Sequence, residues 1–244
     1  MTCRTVAFVG ATGGAGTTRT ALEAAVALAA DGADVAVLDA AYATQGMGGY
    51  LSGRLEPDLT ALVTDRTDDP LAVGLVELDA ETPGDVVCCP VDAPFTRLAR
   101  AKSVEAARAF ERRIEEAATT VDHVLVDVPP VAANQAVAAT TACERVCLVT
   151  PGGDRGADAT NRLRERVADV GTAVDVVAAV RGDDEWGAAD VVLPSTETPL
   201  PAVLSDDTYG RAVASLVARL VDREVTAVGE TGGLFDGVAE RVRR

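Results

Sequence analysis

The residues best placed to do chemistry lie in the stretch VAFVGATGGAGTTRT, Val6–Thr20, where Gly10, Gly13, Gly14 and Gly16 follow an apolar run and precede hydroxyl side chains. Glycines allow positive φ and close backbone approach. An apolar strand that feeds such a turn into a helix presents unpartnered N–H groups and the positive end of a helix dipole. Together these hold a phosphate. Two carboxylates end later apolar runs: Asp39 closes DVAVLD and Asp127 closes HVLVD. In open α/β sheets ligands sit at such strand ends, where a carboxylate accepts a ribose hydroxyl.

The glycine spacing alone leaves two readings open. A phosphate loop of the form G-x-x-x-x-G-K-[ST] uses its lysine on the outer phosphates and its hydroxyl on Mg²⁺. Gly10–Gly16 supplies the glycine-rich frame and Thr18 the hydroxyl, but Thr17 stands where the lysine belongs. The alternative, Gly10-x-x-x-Gly14-x-Gly16 with Asp39 on an adenosine ribose, resembles the dinucleotide site of short-chain dehydrogenases. Those enzymes use Tyr-x-x-x-Lys. Here Lys102 is the single lysine, Leu98 precedes it by four, and the strand-like DVVCCP ends in Cys88-Cys89-Pro90. A dehydrogenase would lack its acid, which leaves an NAD(P)-binding regulator as the dinucleotide reading.

The elements that must position these groups alternate along the chain. Strands are expected at Val6–Val9, Asp34–Asp39, Asp85–Pro90, His123–Asp127, Arg145–Thr150, Val174–Val180 and Asp190–Leu193. Helices are expected at Thr18–Ala30, Lys102–Ala118, Val131–Thr141, Ala157–Val170 and Tyr209–Val221, with short helical pieces at Leu59–Asp65 and Leu71–Leu78. In Lys102–Ala118 the residues Val104, Ala107, Phe110 and Ile114 share one face. Ala40–Gly53, glycine-rich and polar, follows the second strand. The alternation predicts one α/β domain with a mostly parallel sheet, spanning residues 1–223. Residues 224–244 form a hinge-like stretch and a short terminal amphipathic helix, Leu234–Arg244.

Composition narrows the function classes. The 244 residues carry 22 Lys plus Arg against 38 Asp plus Glu, a formal net charge of −16. An acidic surface nearly devoid of lysine looks like that of a protein from a salt-accumulating halophile, where the charge keeps the chain soluble. It argues against general nucleic-acid binding, which needs cationic surface. No secretory segment or long apolar span is present, so a cytoplasmic protein is expected. Cys3, Cys88, Cys89, Cys143 and Cys147 read as reduced, mostly buried thiols. His123 reads as structural, Trp186 as a cover for the sheet edge, and Asp183, Asp184 and Glu185 as a solvated face.

The loop GATGGAGTT, the strand end VAVLDAA, HVLVDVPP, RVCLVTPGG and the closing VVLPSTETPLPAVLSDDTYGRAVASLVARLV together resemble the MinD/ParA group of deviant-Walker ATPases. The resemblance covers nearly the whole body. It implies a three-layer P-loop NTPase fold, with ATP or ADP and Mg²⁺ held by Gly10, Thr12, Gly13, Gly14, Ala15, Gly16, Thr17, Thr18 and Arg181; Arg19, one position late, reads as a replacement cation or as a solvent-facing or salt-bridged arginine. Thr18, Asp39 and Asp127 would serve the metal. It implies further a homodimer, a protein partner in cellular positioning, and weak contact of Leu234–Arg244 with the inner face of the membrane. The family's loop, K-G-G-x-G-K-T-T, departs here to Thr12-Gly13-Gly14-Ala15-Gly16-Thr17-Thr18-Arg19, without either lysine. Its D-x-D has become Asp39-Ala40-Ala41, and its Asn-Arg after the sixth strand Val180-Arg181. These losses predict a scaffold or switch with little or no hydrolysis. An active positioning ATPase is the alternative.

Overall fold

Alternating burial along the first strand sets the layering. In β1 (Thr5–Gly10) the side chains of Val6 and Phe8 join one core, while Ala7 and Val9 join the other. A strand buried on both faces belongs inside a sheet covered by helices on either side. The computed structural model describes residues 4–181, 187–226 and 228. Within them β2 (Val35–Asp39), β3 (Val76–Glu77), β4 (Val86–Cys89), β5 (His123–Val128), β6 (Arg145–Pro151), β7 (Val176–Val180) and β8 (Val191–Leu193) complete an eight-stranded sheet. Its order is β3-β4-β2-β5-β1-β6-β7-β8, and only the β3–β4 pair is antiparallel.

Helices α1 (Thr17–Ala30) and α7 (Asp207–Val221) cover one face through Leu22, Val26, Val213 and Leu216. The other face is covered by α2 (Leu59–Thr64), α3 (Phe95–Ala101), α4 (Val104–Ala118), α5 (Asn134–Ala142) and α6 (Asp154–Asp169). The Asp58 and Ser103 side chains cap α2 and α4 by accepting the N–H groups of Ala61 and Ala106, which satisfies donors the helices leave open. The result is the expected three-layer α/β arrangement with a mostly parallel sheet.

The structure corrects several details. Leu71–Leu78 is not helical: a 3-10 turn, Leu71–Gly74, leads into β3 at the sheet edge. A Cβ at Gly74 would lie 2.8 Å from the Pro57 carbonyl oxygen, so only glycine fits where this turn passes into the strand. Helix α3 went unforeseen, because a seven-residue segment starting with an 82 % exposed Phe95 carries little periodic signal. Val104 is exposed on the first turn of α4, whereas Ala107, Phe110 and Ile114 are buried as expected. The helix predicted from Val131 begins at Asn134, after Pro129 and Pro130. Cys88, Cys89, Cys143 and Cys147 are buried free thiols and His123 is buried in β5. Cys3, Asp183, Asp184, Glu185, Trp186 and Leu234–Arg244 lie outside the described residues.

Candidate functional site

The glycine turn between β1 and α1 adopts the conformation that its composition allows. Gly14 and Gly16 have φ of 75° and 88°, a region costly for residues with a Cβ. At Gly16 a Cβ would also come within 3.4 Å of Val180 Cγ1. The Ala15 N–H donates to the Thr12 carbonyl, closing the turn. Helix α1 starts directly after Gly16 without a side-chain cap, so its first amides face the cleft unpartnered within the helix. Gly10 has a different role. A Cβ there would sit 2.6 Å from Thr17 Oγ1, so this strand end must be bare for Thr17 to pack against it.

The metal candidates come from adjacent strands. Register pairs Asp39 of β2 with Asp127 of β5. Asp127 Oδ2 accepts from the Thr18 hydroxyl at 2.5 Å, linking strand end to loop. Asp39 accepts the N–H of Ala41 at 2.8 Å and that of Val91 at 3.3 Å. Neither carboxylate pairs with a cationic side chain among the described residues, and both are essentially inaccessible. Burial, and then the Asp127 charge, pushes Asp39 up to about 8. Burial pushes Asp127 up to about 6, against the lowering effect of the Thr18 hydrogen bond. Paired hard oxygens with poor solvation are a chemistry that suits a divalent cation such as Mg²⁺.

Loop and carboxylate border a cleft of about 540 Å³. Of the residues picked from the sequence, Thr12, Gly13, Gly14, Ala15, Gly16, Thr17, Thr18, Arg19, Asp127 and Arg181 line it. Gly10 and Asp39 support it from behind. Each oxygen of Asp39 accepts one backbone N–H group, which fixes the carboxylate behind the cleft wall. Arg181, at φ 55°, donates to the Gly14 carbonyl at 3.3 Å. Sequence reasoning missed the rest of the wall: Thr44, Gly46 and Tyr50 after β2, Pro194–Glu197 after β8, and Tyr209 of α7. The position of Ala40–Gly53 behind the second strand was the available signal for Tyr50; Tyr209 gave none beyond helical spacing.

A second polar centre lies next to the loop. Glu23, fully buried on α1, accepts the N–H groups of Ala202 and Val203 at 3.0 and 2.9 Å. Desolvation pushes its carboxyl up, while those two N–H groups and Arg19 pull it back. It ties α1 to the 3-10 turn Ala202–Leu204 that precedes α7.

Comparison with known proteins accords with this geometry. A family model described as ATPase MipZ matches residues 4–160, well over half the chain. Among curated proteins there is no significant match. The fold is similar to MinD of the Aquifex aeolicus MinC:MinD cell division complex, at TM-score 0.72 and 16% identity, covering 91% of this chain and 97% of that one. It is also similar to MinD of Pyrococcus horikoshii complexed with Mg-ADP, at TM-score 0.65 and 17% identity, covering 89% and 95%. Cobyrinic acid a,c-diamide synthase of Mycobacterium smegmatis, with bound ATP analog and magnesium, aligns at TM-score 0.69 and 16% identity, covering 91% and 98%. With the phosphate-type loop, the Thr18–Asp127 pair and the family match in place, the chain belongs to the MipZ ATPase family and has the fold of the MinD proteins.

Proposed function

We propose that this chain is a nucleotide-responsive positioning switch that binds Mg²⁺ and an adenine nucleotide but hydrolyses the nucleotide little or not at all. The carrying observation is the loop's charge: Thr17 stands at the lysine position, its hydroxyl turned toward Gly10, and Thr12 stands at the second lysine position. The MinD and synthase relatives bound to Mg-ADP and to an ATP analog with magnesium support the ligand class. The intact amide nest would hold phosphates, and Thr18 with Asp127 would hold Mg²⁺, which neutralises phosphate charge when bound. Asp39 would shape that site from behind.

Ala41, a cleft residue, stands where the family places its second aspartate. A methyl group neither orients water nor takes a proton. Loss of a single positioned transition-state group commonly costs about 10²–10³ in rate, and here several are absent together. A homodimer and a protein partner in cellular positioning follow from family membership as part of this proposal. Membrane contact through the Leu234–Arg244 segment would be marginal for so short an amphipathic stretch.

The test is calorimetry of the purified chain in molar KCl and Mg²⁺ with ATP, ADP and NADH, followed by phosphate release. Adenine nucleotide binding without turnover above a Thr18→Ala control is expected. Turnover that Thr18→Ala abolishes would overturn the switch in favour of an active positioning ATPase, the reading that the intact Thr18–Asp127 pair favours. Binding of NADH alone would overturn both.

A further inference from the structure

A polyphosphate in this cleft meets few fixed cations. Among the described residues two guanidinium groups line it, those of Arg19 and Arg181. Arg181 is exposed and spends Nη2 on the Gly14 carbonyl. Arg19 follows Thr18 on the first turn of α1, about 100° further round the helix axis. Its Nη2 donates to the Thr198 carbonyl at 2.5 Å and reaches Glu23 Oε1 at only 3.4 Å. The guanidinium carbon stands 5.8 Å from the centroid of the Tyr209 ring. Arg19 Nε is buried and has no hydrogen-bond partner among the described residues.

Arg19 is therefore parked rather than locked. It has one short hydrogen bond to a neutral carbonyl, a side-chain contact with Tyr209, one long ion pair and one orphaned donor, and a buried donor without a partner is unfavourable. Glu23 keeps two fixed partners when Arg19 turns away, the Ala202 and Val203 N–H groups, although it then loses the lowering effect of the Arg19 charge. A phosphate offers what the parking position lacks: two charged acceptors in the planar geometry that a guanidinium fork matches. The side chain keeps a third of its surface in solvent, so it can turn without unpacking α1.

We propose that Arg19 is the mobile cation of the cleft, leaving the Thr198 carbonyl on nucleotide binding to pair with the phosphates in place of the lysine missing at Thr17. The inference rests on the nucleotide-binding reading above and adds the residue that makes this binding depend on phosphate charge. Arg181, held to the loop backbone, contributes to the wall and not to that dependence.

The experiment compares Mg²⁺-dependent affinities for AMP, ADP and ATP by calorimetry at fixed KCl, for the unmodified protein and for Arg19→Gln, Arg19→Lys and Arg181→Gln. Arg19→Gln should weaken ATP binding about ten- to a hundred-fold and ADP binding less, so the ATP-to-ADP affinity ratio falls. Arg19→Lys should restore most of that ratio, and Arg181→Gln should weaken all three nucleotides by a similar factor, so that the ratio stays as it was. A structural role for Arg19 predicts equal losses for every ligand and an unchanged ratio. That result, no loss at all, or a ratio that falls only in Arg181→Gln would each overturn the assignment. If the unmodified protein binds none of these nucleotides, the nucleotide reading itself falls, which is distinct from failure at Arg19. Urea unfolding of Arg19→Gln identifies any loss that is merely misfolding.

Discussion

Replacing Asp127 by Asn should stabilise the ligand-free protein, although it removes a metal ligand. In the free chain Asp127 is buried, paired in register with Asp39, and without a cationic side-chain partner among the described residues. A folded value of about 6 against an ordinary 3.8 means that ionising Asp127 in the native state costs ~3 kcal/mol, at about 1.36 kcal/mol per pH unit. The isosteric amide removes that cost and relieves Asp39, which the Asp127 charge also pushes up. The local contact survives, because the Thr18 hydroxyl can donate to the amide oxygen as it now donates to Oδ2. Between pH 3.8 and the raised values the native state binds more protons than the unfolded chain, so its stability falls as pH rises through that window. The variant escapes part of this fall. Urea unfolding in KCl with chelator should show Asp127→Asn about 2–3 kcal/mol more stable near pH 8, with the two proteins converging below pH 4. Equal effects at both pH values, or destabilisation at pH 8, would refute the argument that this buried charge is uncompensated.

Other substitutions test the loop and its supports. Gly16→Ala forces a Cβ onto a φ of 88° against Val180; thermal unfolding should show a loss of about 1–2 kcal/mol, and calorimetry a loss of nucleotide binding. Asp58 is fully buried and accepts the N–H groups of Ala61 and Asp92 while pairing with Arg97 at 3.1 Å. Arg97 keeps its ion pair with Glu56, so the cost of Asp58→Ala is the lost cap on α2 and the stranded Asp92 N–H, about 2–3 kcal/mol in urea unfolding. Ser103→Ala, which removes a cap on α4 and little else, should cost about 1 kcal/mol in the same assay.

The elements legible in the sequence are those whose burial is symmetric. Parallel strands covered on both faces read as apolar runs, and Val6–Val9 and His123–Asp127 lie within β1 and β5. The loop was legible because only glycine serves its positive φ. The edge strand β3 was not, since two half-exposed residues pair with Val87 and Cys88 through a register that no local pattern records. The site divides in the same way. Thr18 and Asp127 were nameable, but their contact spans 109 residues of chain. The partners of Arg19 were hidden for that reason too: Thr198 lies 179 positions away, and no spacing rule reaches it.

The architecture of the site does not depend on the lysines that its relatives' loop carries. The loop is closed by the Ala15-to-Thr12 backbone bond and continued by the Thr20 N–H on the Gly16 carbonyl. Asp127 is held by Thr18. On the other flank, the successive N–H groups of Val91, Asp92 and Ala93 are taken by Asp39, Asp58 and Gln45, which fixes the segment after β4 against the β2 side of the cleft. No lysine takes part in these contacts. Replacing a loop lysine by threonine therefore removes charge available for phosphate chemistry while leaving the cradle's shape intact. That separation of shape from chemistry is what the proposed switch requires. It also makes a sharp demand: restoring Thr17→Lys should raise nucleotide affinity with little change in folding stability, whereas hydrolysis should stay low while Ala41 provides no carboxylate.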